Sequence, residues 1–221
     1  MYKNRSRIIT GQGEAIADIA PLYNPFALPY TETVKNVRNK YGVICLNELK
    51  IETKRLLLLP ISYGCMTQLL DGTQTELEKQ GYLLCDDWIT LDVLRYFDII
   101  RSFMPEDQPP NGFYTWAVVE RGSGLVIGDV GFKGAPNELG AVDIGYGIAP
   151  CAREKGYATE AVLAAMAWAF AQPDVRRISA ECLEDNAASI HILKKSGMKE
   201  LIRDGNVILW EIKREDFLFH Q

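Results

Sequence analysis

Histidine, long apolar runs and surplus positive charge are all scarce in this sequence, and each scarcity removes a class of function. Two histidines in 221 residues leave little from which to build a histidine-ligated metal centre. The five cysteines, Cys45, Cys65, Cys85, Cys151 and Cys182, form no C-x-x-C pair. No metal is expected, and an odd set of scattered thiols fits reduced side chains better than a disulfide framework. The 24 basic residues are outnumbered by 29 acidic ones, for a net charge of -5. No nucleic-acid partner is therefore expected, because such partners demand basic patches that neutralise phosphates. After the basic start Met1 to Arg7 no apolar stretch reaches the length of a signal peptide or membrane span. A cytoplasmic protein without membrane contact is the expectation.

What remains is an ordinary globular balance, 48% apolar and 24% charged, in a chain long enough for one domain and an appendage. Residues 1–48 mix Gly11, Gly13, Pro21, Pro25 and Pro29 with short apolar pieces and read as an N-terminal extension. Residues 49–221 read as the domain. Its first strand runs from Lys50 to Leu59 and is stopped by Pro60, and helical spacing follows over residues 61–104. Three strands, Thr115 to Glu120, Leu125 to Lys133 and Ala141 to Ile148, then form a meander. Thr159 to Ala171 is almost wholly apolar after Glu160, which predicts a helix buried on most of its circumference and ended by Pro173. A strand around Ile178 to Cys182, a helix from Asp185 or Asn186 to Gly197, and a hairpin around Asp204-Gly205-Asn206 complete the chain.

The chemistry concentrates between Asp143 and Val162, where a strand feeds through a short loop into the start of the apolar helix. The first amides of a helix lack intrahelical acceptors and sit at the positive end of its dipole, so this junction can hold an anion on backbone groups alone. Gly156 and Ala158 allow close approach, and Arg153 and Lys155 add charge. Other phosphate loops do not fit: Lys155-Gly156 is in the wrong order for a Walker loop, and Pro150 stands where a dinucleotide fingerprint needs its third glycine.

The run Arg153-Glu-Lys-Gly156-Tyr-Ala158, with Ile-Gly-Tyr-Gly-Ile-Ala-Pro before it and Asp185-Asn-Ala-Ala-Ser189 to Gly197 after it, resembles the signature of the GNAT superfamily of acetyl-CoA-dependent N-acetyltransferases. The opening Ile51-Glu-Thr-Lys-Arg-Leu-Leu-Leu is similar to the first strand of its ribosomal-protein N-terminal acetyltransferase branch. The resemblance covers about residues 49–217. It implies an α/β (α+β) N-acyltransferase fold: a mixed, mostly antiparallel sheet, splayed at its centre and flanked by helices. It further implies acetyl-CoA as acyl donor, its pyrophosphate on the amides of Arg153, Glu154, Lys155, Gly156, Tyr157 and Ala158. An amide among Tyr146, Gly147 and Ile148 would polarise the thioester carbonyl, and Asn186 and Ser189 would contact the pantetheine arm and leaving thiolate.

An amine must lose its proton before attacking, and for an alkylamine of pKa about 10.4 this costs about 4 kcal/mol at pH 7. Asp143, on the strand lining the expected gap, is the candidate base, and Ser189 the candidate acid, because Leu193 stands where many members of the superfamily have a tyrosine. Plainer roles stand beside these: Asn186 as a helix cap, Ser189 as a surface hydroxyl, Asp143 as a solvated strand residue. The acceptor is expected to be a small-molecule or peptide amine and the assembly a monomer or homodimer. The alternative is a non-catalytic acyl-CoA-binding module whose extension contacts a partner.

Overall fold

The computed structural model describes residues 36–39, 42–45, 49–106 and 108–219. The strands are β1 (Asn36–Asn39), β2 (Gly42–Cys45), β3 (Lys50–Glu52), β4 (Leu56–Pro60), β5 (Leu83–Leu84), β6 (Thr115–Glu120), β7 (Leu125–Phe132), β8 (Ala141–Ile148), β9 (Arg177–Leu183), β10 (Lys199–Asp204) and β11 (Val207–Lys213). The helices are α1 (Tyr63–Asp71), α2 (Glu76–Lys79), α3 (Leu91–Arg101), α4 (Tyr157–Ala171), α5 (Ala187–Lys195) and α6 (Arg214–Phe219). The strands join in the order β1-β2-β3-β4-β6-β7-β8-β9-β11-β10, with β5 parallel to the start of β7. All neighbours are antiparallel except β8 with β9 and β5 with β7.

Helices cover both faces, which is why β6 and β7 are buried along nearly their whole length and do not alternate apolar with polar. One core lies under α4 and takes the side chains of Leu56, Leu58, Trp116, Val130, Phe132 and Ile144. The other lies under α1 to α3 and takes Ala117, Val119, Val126 and Phe97. Ten of the fifteen α4 residues are buried, so its amphipathic signal is weak and its apolar run is the correct cue. At about 1.5–3 kcal/mol for each large apolar side chain removed from water, this packing fixes where the N-terminus of α4 stands. Trp168 of α4 is central to it, with its ring 5.0 Å from that of Phe113, 5.3 Å from Trp116 and 6.0 Å from Phe132.

Two sequence expectations are corrected. The single strand Lys50 to Leu59 is a hairpin of β3 and β4, because Thr53 closes a tight turn: its N–H donates to Leu56 O at 2.9 Å, and its hydroxyl accepts from Leu56 N at 2.9 Å. Pro60 belongs to β4, opposite Trp116, and does not stop short of it. The stretch expected to be helical over residues 61–104 is broken by β5, where Leu83 N–H donates to Gly124 O and Cys85 N–H to Val126 O. Of the expected extension, β1 and β2 add two strands to the sheet through the pairing of β2 with β3. The rest of it lies outside the described residues.

Gly112 has φ +83°, and a Cβ there would stand 2.2 Å from the Trp168 ring. Gly112→Ala therefore combines a left-handed backbone with overpacking, and urea denaturation is expected to show a loss of about 2–4 kcal/mol.

Candidate active site

β8 and β9 pair only where Ala141–Asp143 faces Arg177–Ser179. Beyond Asp143 the strands separate, and β8 keeps only its β7 neighbour. Asp143 O and Ala149 N–H both bond toward β7, so by antiparallel alternation Ile144, Tyr146 and Ile148 aim their amides and carbonyls into the gap. Gly147, opposite Asp129, aims its amide at β7 instead. Of the expected oxyanion donors, Tyr146 and Ile148 thus present free edges. Across the gap the Tyr146 hydroxyl lies 3.4 Å from Ser189 O.

At the mouth of the gap a 3-10 turn, Pro150–Ala152, leads into the loop ahead of α4. Ala152 is buried and anchors the turn, while Arg153 to Gly156 are exposed. Glu154 has φ +60°, at a cost of about 1 kcal/mol for a residue with a Cβ, and Gly156 has φ +77°. Helices α1, α2, α3 and α5 each have a side-chain N-cap, from Ser62, Thr75, Thr90 and Asn186. α4 has Gly156 and no side-chain cap. The amides of Gly156, Tyr157, Ala158 and Thr159 find no acceptor among the described residues, and the first bond of the helix is Glu160 N–H to Gly156 O. Four converging N–H groups at the positive end of a fifteen-residue helix form an anion cradle.

A brace that the sequence reading missed holds this loop. The Arg55 guanidinium donates to Glu160 Oε2 at 2.7 Å and to Lys155 O at 2.8 Å, and it stacks 4.6 Å from the centre of the Tyr157 ring. Glu160 Oε1 also accepts from the Thr53 hydroxyl at 2.6 Å and from Arg55 N–H at 3.0 Å. Tyr157 in turn donates its hydroxyl proton to Glu120. Arg153 Nε donates to Ile148 O at 2.9 Å, and Lys155 Nζ to Cys151 O at 3.1 Å, so both cations are pinned close to the cradle. The β3–β4 turn, unseen in the sequence, is what delivers Thr53 and Arg55 here.

The expected catalytic and pantetheine residues sit as follows. Asn186 caps α5 by accepting from Ser189 N–H at 3.0 Å. The Ser189 hydroxyl meets the Tyr146 hydroxyl across the gap. Asp143, at the last paired position before the gap, lies 2.6 Å from Lys133 Nζ and accepts from the Ser179 hydroxyl at 3.1 Å. Leu193 is wholly buried, so its position belongs to the core. Cys151 Sγ lies 2.9 Å from Cys85 Sγ, a pairing that no sequence spacing announced.

Another missed residue is Asp129, in the middle of β7. It is 6% exposed, and its Oδ1 accepts from Trp88 Nε1 at 2.8 Å. Burial pushes its carboxyl up to about 6 against the opposing effect of Trp88. The signal was present in the sequence, since Asp129 interrupts the apolar run Leu125 to Phe132.

Burial raises the Glu160 carboxyl, but the hydrogen bonds from Thr53 and Arg55 outweigh it and hold the group below the ordinary range. A depressed folded-state value stabilises the fold above the unfolded value and loses that contribution as pH falls through the folded one. Arg55→Ala is expected to cost about 1–2 kcal/mol near pH 7, the part-exposed guanidinium limiting the loss. Denaturation at several pH values checks this: the difference from wild type should shrink once Glu160 protonates.

Comparison with known proteins agrees with this geometry. Residues 80–199, more than half of the chain, match the acetyltransferase (GNAT) domain family. The uncharacterized N-acetyltransferase YjdG of Bacillus subtilis (strain 168) is 29% identical over 147 residues, which span 66% of this chain and 88% of the relative. The crystal structure of a GNAT-family acetyltransferase from Bacillus anthracis superposes with a TM-score of 0.51 at 21% identity, over 76% of this chain and 99% of the other. A spermidine/spermine N-acetyltransferase from Vibrio cholerae does so with a TM-score of 0.52 at 16% identity, over 76% and 99%. Splayed sheet, uncapped helix and family match together make this chain an acetyltransferase of the GNAT family.

Proposed function

We propose that the chain transfers an acetyl group from acetyl-CoA to a primary amine by direct attack on the thioester, and that it works in the cytoplasm as a monomer or homodimer. The observation that carries the donor assignment is the uncapped start of α4, where four backbone amides converge on open space. In this reading the amides from Glu154 to Ala158 and the Arg153 side chain hold the pyrophosphate, the Arg153 amide being taken by Pro150 O. Tyr146 or Ile148 offers an N–H to the thioester carbonyl, where charge accumulates as the amine adds. Asn186 and Ser189 stand across the gap at the start of α5, and the Ser189 hydroxyl, beside that of Tyr146, protonates the departing thiolate. Asp143, its charge shared with Lys133, adds negative potential that draws a cationic amine toward the gap. Among the described residues no helix is long and apolar enough to cross a membrane. Similar structures belong to a spermidine/spermine N-acetyltransferase and to a ribosomal-protein-serine acetyltransferase, both from Vibrio cholerae, which supports an amine acceptor, small-molecule or peptide.

Gly156→Glu places an anion where the pyrophosphate belongs, and isothermal calorimetry is expected to show acetyl-CoA affinity lower by about 100-fold or more, roughly 3 kcal/mol. Gly156→Asn, which tolerates the left-handed backbone and adds no charge, should bind far more tightly than the glutamate variant. Equal affinity in wild type and Gly156→Glu would remove the pyrophosphate from this loop.

A further inference from the structure

Two glycines in the middle of β8 are not explained by the protein around them. Glycine weakens a strand, and in a strand interior it marks either a crowded backbone or a place kept open for something else. Gly128 and Gly131 of β7 are of the first kind: a Cβ would stand 2.2 Å from Gly147 O in one case and 2.3 Å from Tyr114 O in the other. Gly145 and Gly147 are of the second kind. A Cβ on Gly145 would meet only the Tyr96 hydroxyl, at 4.0 Å, and one on Gly147 only Asp129 Oδ1, at 3.5 Å. Both are ordinary contact distances, and neither residue has a positive φ.

The two glycines project from the same face of β8, opposite to Val142 and Ile144, which pack under α4. They therefore floor a slot on the α3 side of the sheet, beside the edge whose amides face the gap. Its walls are polar. Asp129 stands over Gly147 through Oδ1, which already accepts from Trp88, and its Oδ2 has no donor among the described residues. Tyr96 of α3 stands over Gly145, beside Thr115 and near both Asp129 and Asp143. Asp143 occupies the same face two residues before Gly145, but Lys133 and Ser179 already engage it. Asp129 is therefore the carboxylate with an unused acceptor oxygen next to the separated part of β8.

We infer that the slot over Gly145 and Gly147 receives the acceptor as an alkylammonium ion, and that Asp129 is the base that takes the proton from its nitrogen. This rests on the acetyltransferase reading and gives it a substrate class: a primary amine on an unbranched carbon, slim enough to lie on bare backbone. The cation pairs with the Asp129 carboxylate and gives up one proton to solvent. The nitrogen lone pair then forms the N–C bond to the thioester carbonyl. As the C–S bond breaks, Asp129 accepts the second proton from nitrogen and then returns it to solvent, while the thiolate takes a proton from water, directly or relayed through the Ser189 hydroxyl. The products are the N-alkylacetamide and free CoA thiol. The carboxylate must be ionised to do this, and its elevated titration near 6 makes it a stronger base than a solvated aspartate while leaving it charged at pH 7.5. The titratable groups facing it are Tyr96 from α3 and, farther along β8, Asp143 with its partner Lys133.

The test follows CoA thiol release from acetyl-CoA with n-butylamine, putrescine, spermidine and an alanyl peptide, alongside acetyl-CoA calorimetry. Wild type should favour the alkylamines, with kcat/KM falling on an acid limb near pH 6. Asp129→Asn, which can still accept from Trp88, should lose about 10²–10⁴ in kcat and lose that limb, with acetyl-CoA affinity unchanged. Its Tm at pH 8 should rise, because a folded-state carboxyl titrating above its unfolded value costs stability as pH climbs through both. Gly145→Ala should raise the alkylamine KM about tenfold without altering acetyl-CoA binding. Wild-type turnover with its acid limb intact in Asp129→Asn, or an unchanged KM in Gly145→Ala, would overturn the slot and leave the acetyltransferase reading standing. Tight acetyl-CoA binding with no transfer to any amine would overturn both.

Discussion

One unmet hydrogen-bonding requirement organises this molecule: the start of α4 has no side chain to satisfy it. A buried apolar helix cannot slide to relieve its free amides, because Met166, Trp168 and Ala169 lock it against the sheet. The cost of leaving those amides open falls on the folded state, and neighbouring residues offset it by holding the loop in one shape. Arg55, Glu160 and Tyr157 serve that end, and all three lie outside the gap itself. The arrangement is an electrostatic preorganisation in which positive potential is fixed before any phosphate arrives.

The separation of β8 from β9 is the second half of the same design. Three paired residues on each strand suffice to set direction, and the strands then diverge around the helix start. β5 lies beside β7 just past the end of β8, continuing that edge and bringing Cys85 next to Cys151. The backbone of β8 thus has a bonded edge toward β7 and a free edge toward the gap, and its bare glycine face adjoins the free edge. In the proposed reaction, one strand used on two sides brings donor and acceptor together.

Much of this was legible in the sequence because its causes are local. The strand–loop–helix junction from Asp143 to Val162, the apolar run of α4 and the Asn186 start of α5 each follow from neighbouring residues, and the structure shows these elements there. The β3–β4 hairpin was hidden, since Lys50 to Leu59 reads as one strand and only the Thr53 hydroxyl reveals the turn. Arg55 was invisible for the same reason: its partners Lys155 and Glu160 lie about a hundred residues away. Asp129 left a clear trace as a charge within an apolar strand, but its relation to Gly147 depends on strand register, which no single segment encodes.

The central claim concerns backbone N–H groups, so the most direct measurement observes them. In a 15N-labelled sample titrated with CoA, the amide resonances of Gly156, Tyr157, Ala158 and Thr159 should show the largest changes in the protein, moving downfield as they acquire phosphate acceptors. Saturation with CoA that leaves those four amides unmoved would contradict the account.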